Sequence, residues 1–387
     1  MSEWEILDEN LGSAKIKVFG VGGGGGNAVK HMVDQGIIGA DFISINTDKQ
    51  ALDDNPSSQK LVLGETITNG MGAGADPEVG RLAALEDRDR LKDLIKGADM
   101  VFIAAGMGGG TGTGASPIVA QVANELGALT VAIVTKPFSL EGKKKMQLAE
   151  EGIHQMIEEV DSLITIPNQK LLEVLGKGST IIEGFKAAND VLAGAVRGIS
   201  DIIIKPGMIN VDFADVKTVM SERGTAMIGT GFSSGPNRAR EAAEQAMSSK
   251  LLEDISLKDA KGVLLNITAS DNLTIEEFET VGNCIQEYAS EDAIIVPGTV
   301  IDSKAGDILT VTVVATGLDS ISETTKRSIS KVDYLQNRKD LPLSSASKHI
   351  LENPPNLEVL KRSKDNKSSQ PEEDLFDIPS FMRSQID

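Results

Sequence analysis

Residues 100–127 read MVFIAAGMGGGTGTGASPIVAQVANELG. An apolar run leads into six glycines and two threonines within the eleven residues 106–116. The run fits a strand buried on both faces, and PIVAQVANELG (117–127) has apolar residues at helical spacing. Glycine carries an entropic cost in any element, so a strand-to-helix turn this rich in it needs a geometric or a chemical reason. One or two glycines suffice for a tight turn. A longer run lets backbone N–H groups approach phosphate oxygens at a helix N-terminus, where the helix dipole adds positive potential. Thr111 and Thr113 supply hydroxyls there with little bulk.

The same order occurs nearer the start. KIKVFGVG (15–22) reads as a buried strand, GVGGGGGN (20–27) as a second glycine loop, and NAVKHMVDQG (27–36) as a helix. DFISINTD (41–48) is a further strand, and LTVAIVTKPF (129–138) another. PEVGRLAALEDRDRLKDLIKGA (77–98) reads as one amphipathic helix with proline at its first position. Short strands alternating with helices indicate an α/β fold with a doubly wound parallel sheet. Two glycine-rich turns at carboxyl ends of strands point to a phosphate ligand. Gly20, Gly22 and Gly25 also satisfy G-x-G-x-x-G, with Asp48 placed where a ribose-binding acid would lie, so a dinucleotide site is one alternative. Five consecutive glycines satisfy many patterns, however, and a dinucleotide site gives no reason for a second loop. The chain contains no GxxxxGK[ST], which excludes a P-loop NTPase.

IIEGFKAANDVLAGAVRGISDIII, ending at 204, reads as a long helix stopped by Lys205-Pro206-Gly207. A second strand and helix pattern follows it, from TAMIGTG to ILTVTVVATG. After Gly317 the chain turns rich in Ser, Asn, Lys and Asp, contains Pro354-Pro355 and loses apolar period, as a linker does. Apolar density returns in LFDIPSFMRSQ (375–385), an island with no core to join, which suits a docking peptide. The expected divisions are a flexible segment 1–14, a ligand-binding domain 15–179, a central helix 180–204 and a smaller α/β domain 205–317. A disordered linker 318–374 and the docking peptide 375–387 complete the chain. In GMINVDFADVKTVM, Asp212 is placed to cap the helix FADVKTVM, with Asp215 near its positive end.

Composition narrows the classes. The 387 residues are 40% hydrophobic and 25% charged, ordinary for a soluble globular chain with substantial cores. A formal charge of −19 argues against wrapping nucleic acid or resting on anionic lipid. Cys284 is the one cysteine, and His31, His154 and His349 are far apart, so a thiolate metal site or a histidine-based triad is not expected. The start MSEWEILDENLGS has no apolar core and reads as no signal peptide, and the uncharged stretch 100–123 is too glycine-rich for a membrane helix. The expected location is the cytoplasm, without membrane insertion.

GGGTGTG (108–114) occurs with GVGGGGGN (20–27), INTD (45–48), GAGADPEVG (72–80), TKPFSLEGKKK (135–145), AAND (187–190) and NVDFADV (210–216). This ordered set, spanning about 15–317, resembles the tubulin/FtsZ family in its bacterial cell-division branch. The resemblance implies a tubulin-like fold and a GTPase that polymerises head to tail and assembles at the division ring. It implies that Gly23, Gly24, Gly25, Gly26 and Asn27, with Gly110, Thr111 and Gly112, cradle the phosphates of GTP or GDP. The loop holding Ala73 and Gly74 would lie near the γ-phosphate, Glu141 at the ribose, and Phe185 and Asn189 at the guanine. Lys145 stands where many relatives have arginine, and it offers a point charge rather than a fork. Asn210, Asp212 and Asp215 would act on the γ-phosphate of a neighbouring subunit by orienting water, with Mg²⁺ held by phosphates and water. Such a contact between unlike faces grows open filaments. Asp377–Gln385 is similar to the family's terminal peptide, which implies membrane-linked division adaptors such as FtsA and ZipA as partners. Ser380, Met382 and Ser384 make it less basic than that peptide often is. The competing classes are a soluble dinucleotide-dependent enzyme and a non-catalytic nucleotide-binding scaffold.

Overall fold

The computed structural model describes residues 14–176, 178–205, 209, 211–222, 224–249 and 260–318. Its first half alternates β1 (Ile16–Val21), α1 (Gly22–Asp34), β2 (Ala40–Asn46), α2 (Lys49–Asp53), β3 (Gln59–Val62) and α3 (Glu65–Thr68). There follow α4 (Pro77–Glu86), α5 (Arg88–Ile95), β4 (Met100–Gly106), α6 (Thr111–Glu125) and β5 (Leu129–Lys136). After a 3₁₀ turn at Ser139–Glu141 come α7 (Lys143–Glu159), β6 (Ser162–Pro167), α8 (Asn168–Leu175) and the long α9 (Ile181–Ile204). The remainder is α10 (Phe213–Met220), β7 (Gly224–Ser234), α11 (Arg238–Met247), β8 (Gly262–Ala269), α12 (Ile275–Tyr288), β9 (Ile294–Ile301) and β10 (Ile308–Leu318).

All ten strands lie in one sheet, in the order β3-β2-β1-β4-β5-β6-β7-β10-β8-β9. The strands from β3 to β7 are parallel; β10 runs antiparallel to β7 and β8. The short parallel register Ser162↔Gly224 to Ile164↔Ala226 joins the two halves. The sheet therefore runs unbroken through both halves, and among the described strands β10 alone is reversed. Alternation along the central strands sorts the core. Met100, Phe102 and Ala104 of β4 join α1 and α9 in one cluster, while Val101, Ile103 and Ala105 join α6 and α7 in another. A third cluster lies wholly between Met227 and Leu318.

Three expectations change. The helix placed at 27–36 begins at Gly22, so the glycine run forms its first turns. Poor intrinsic propensity is overridden by packing: a Cβ on Gly25 would overlap the Ala104 carbonyl oxygen, and one on Gly24 would stand 3.1 Å from Gly106 Cα. The single helix expected over 77–98 breaks at Asp87, whose carboxylate accepts the Gly64 N–H at 2.7 Å. The helix expected from 117 starts earlier, at Thr111, and Pro117 lies within it. The expected long helix forms as read, closed at its start by a capping box between Thr180 and Glu183. The expected segments 1–14 and 318–387, the docking peptide included, lie almost wholly outside the described residues.

Candidate functional site

Strands β1 and β4 are neighbours, and the chain leaves them for opposite sides of the sheet, towards β2 and β5 respectively. That is the switch point at which open α/β sheets bind ligands, beyond the carboxyl ends of the strands. Both exits carry the glycine turns. The two helix N-termini converge: a Cβ on Gly22 would stand 2.8 Å from Gly112 N, so only bare backbone permits the approach. Each terminus leaves N–H groups without intrahelical partners, and together they make an anion site.

A cleft of about 270 Å³ opens beside them. One wall is Gly24, Asn27 and the turn 106–109; the far wall comprises Glu141, Lys145, Asn168, Phe185 and Asn189. Phe185 is exposed and meets buried Phe138 edge to face, with ring centroids 5.2 Å apart. Glu141 accepts the Phe138 N–H at 2.9 Å and the Lys145 ammonium at 3.1 Å, which holds both charged groups at the rim. Helix α9 brings Phe185 and Asn189, one turn apart, to the same wall.

Of the residues singled out from the sequence, Gly24, Asn27, Glu141, Lys145, Phe185 and Asn189 line this cleft. Gly23, Gly26 and Asn27 line a neighbouring cavity of about 330 Å³ on the other side of α1. Gly25 is packed beneath the turn. Gly110 is covered by the loop of Ala73 and Asp76, and Gly112 packs against Gly106. Thr111 opens α6 and shares a 2.6 Å hydrogen bond with buried Thr47. The loop carrying Ala73 and Gly74 takes left-handed φ at Gly72, Gly74 and Ala75. Ala75, at φ 60°, has no glycine freedom there.

Asp212 caps α10 by accepting the Asp215 N–H at 2.9 Å, and both side chains are exposed and away from the cleft lining. Asn210 lies outside the described residues. Asp48 caps α2 through the N–H groups of Gln50 and Ala51 and does not line the cleft, which removes the ribose-acid role of the dinucleotide alternative. Sequence reasoning missed Asn168. It is buried, lines the cleft, and its Oδ1 has no hydrogen-bond partner among the described residues. Its only sequence cue was its place at the carboxyl end of β6.

Comparison with known proteins agrees with this geometry. Residues 15–176 match the model of the tubulin/FtsZ family GTPase domain, and 224–319 that of the FtsZ family C-terminal domain. The cell division protein FtsZ of Pseudomonas aeruginosa is 53% identical over 400 residues, covering 99% of this chain and 100% of that one. The Coxiella burnetii protein of the same name is 61% identical over 317 residues, 82% of each chain. Among solved structures, an empty FtsZ dimer from M. jannaschii has a TM-score of 0.77 and 42% identity over 80% of this chain and 90% of that one. CetZ2 of Haloferax volcanii, in a GTPγS-bound protofilament, has a TM-score of 0.68 at 20% identity over 84% of this chain and 100% of that one, which speaks for the fold alone. With two family models spanning most of its length and relatives above half identical, the chain belongs to the tubulin/FtsZ family and is a GTPase.

Proposed function

We propose that this GTP-dependent cytoskeletal protein of cell division binds its nucleotide in the cleft at the β1/β4 switch point and completes hydrolysis only between subunits. The convergence of two bare helix N-termini on a cleft with an aromatic and amide far wall carries this reading. The guanine lies against Phe185, with Asn189 and the orphaned Asn168 Oδ1 as hydrogen-bonding partners. Glu141 receives a ribose hydroxyl, and the turns 22–27 and 106–112 bind the phosphates. The loop at Ala73 and Gly74 adjoins the last phosphate. Among the described residues Glu141 is the only carboxylate lining the cleft, and it is already engaged by Phe138 and Lys145. Mg²⁺ would accordingly rest on phosphate oxygens and water rather than on protein side chains, and would neutralise charge there.

Among the described residues the cleft lining holds no acid free to orient water, whereas Asp212 and Asp215 stand exposed at the start of α10. Set against the cleft of the next copy, they position and polarise the attacking water, the kind of help phosphoryl transfer needs. Copies joined this way form a head-to-tail filament. The related M. jannaschii FtsZ, solved as a dimer, lends support. The same reading places the protein in the cytoplasm, gathered at the division ring, with 15–179 and 205–317 as domains about the central helix.

Phosphate release per molecule, followed against protein concentration with GTP and with ATP, tests the proposal. GTP turnover should rise above a threshold concentration, and ATP should bind more weakly by about 1–3 kcal/mol, the cost of leaving a buried amide unpaired. Constant specific activity down to high dilution would place a complete site within one subunit, and equal use of ATP would remove the guanine assignment.

A further inference from the structure

Thr47 joins two loops that the cleft does not itself connect. Its side chain is wholly buried, and its Oγ1 lies 2.6 Å from Oγ1 of Thr111, the first residue of α6. Its carbonyl oxygen accepts the Gly72 N–H at 3.0 Å. The stretch around it is stitched to the same loop by Lys49 N–H to Gly70 O and by the Asp48↔Met71 bridge. One residue thus fixes the loop of Ala73 and Gly74 through its backbone and the start of α6 through its hydroxyl.

The direction of the shared hydrogen bond follows from counting protons. Each hydroxyl has one to give. Among the described residues neither hydroxyl has another partner. If Thr111 donated, the Thr47 proton would be stranded in the core, at the cost of an unsatisfied buried donor. Thr111 keeps slight exposure, 9% against 0% for Thr47. The economical arrangement has Thr47 donating to Thr111, which leaves the Thr111 proton free. We infer that Thr47 is a positioning residue that sets the Thr111 hydroxyl as a donor to a nucleotide phosphate. This rests on the proposed cleft reading, in which Thr111 belongs to the phosphate cradle.

Thr47→Val removes the hydroxyl at nearly constant shape and leaves the backbone hold on the loop in place, so it isolates the donor effect. GTP affinity of the full chain is measured by fluorescent-nucleotide displacement for Thr47→Val, Thr47→Ser, Thr111→Val and the Thr47→Val/Thr111→Val pair. The expected losses are about tenfold for Thr47→Val and for Thr111→Val, less than about twofold for Thr47→Ser, and no further loss in the pair. Independent losses that multiply in the pair, or failure of serine to restore affinity, would show Thr47 to be a packing residue only and overturn the inference. If Thr47→Val loses affinity as expected while Thr111→Val does not, Thr47 acts by another route and the inference fails while the cleft stands. If neither changes affinity, Thr111 is outside the cradle, and that part of the cleft reading fails with the inference. Should Thr47→Val not fold, Thr47→Ala also removes the hydroxyl donor and is read in the same way.

Discussion

A methyl group on Gly25 collides with the Ala104 carbonyl, whereas one on Gly23, two positions earlier in the same turn, meets nothing within 4 Å. The glycine run therefore mixes two requirements that look identical in the sequence. Gly25 is small because β4 lies beneath it; Gly23 is exposed and small where a ligand would approach. Gly25→Ala should destabilise the fold by about 1–3 kcal/mol through overpacking against rigid backbone. Gly23→Ala should keep or slightly raise the melting temperature, because alanine is favoured in helices by up to about 1 kcal/mol, while weakening GTP binding. Thermal unfolding and nucleotide affinity on the same samples decide it. Equal loss of melting temperature in both variants would show Gly23 to be a packing glycine too.

At the scale of the element, Asp212 has a structural duty and a proposed chemical one. Its carboxylate caps α10, a role asparagine fills about as well, whereas alanine costs about 1 kcal/mol. Asp212→Asn should therefore leave urea unfolding and GTP binding close to those of the parent and suppress turnover at least tenfold, since the amide cannot polarise water as the acid does. Asp212→Ala should lose both turnover and stability. Normal turnover by Asp212→Asn would leave the residue a cap and nothing more. The cap at Asp212 was legible in the sequence because it is local: the residue directly precedes an apolar period. The break at Asp87 was not, because it depends on Gly64, 23 residues away. The early start of α1 was hidden for the same reason, its glycines being fixed by β4 and the turn after it. In the site, residues in dense motifs such as Glu141 and Asn189 could be named, while Asn168 sits in an undistinguished stretch and acquires meaning only beside α9.

Across the whole molecule, charge and apolar density are unevenly divided along the chain. Residues 319–387 carry eleven lysines and arginines against twelve acids, so nearly all of the net −19 belongs to what precedes them. That segment adds little to the acidic character of the body. Its apolar island includes Ile378, Phe381 and Met382, with Phe381 and Met382 three and four residues after Ile378, the spacing of one helical face. We propose that Asp377–Gln385 folds as a short helix in a partner's groove, with Arg383 pairing at the rim and the preceding linker giving reach. The family resemblance makes membrane-linked adaptors such as FtsA and ZipA the partners to try. Removing residues 375–387 takes nothing from the described body, so GTP turnover and its concentration threshold should stay within about twofold while adaptor binding is lost. Phe381→Ala should reproduce most of that loss, since a buried aromatic anchor often contributes about 2 kcal/mol or more to such an interface. Binding measured with purified adaptors and the full chain, truncated and substituted, settles the matter: unaltered affinity after truncation would mean that the adaptors grip the body instead.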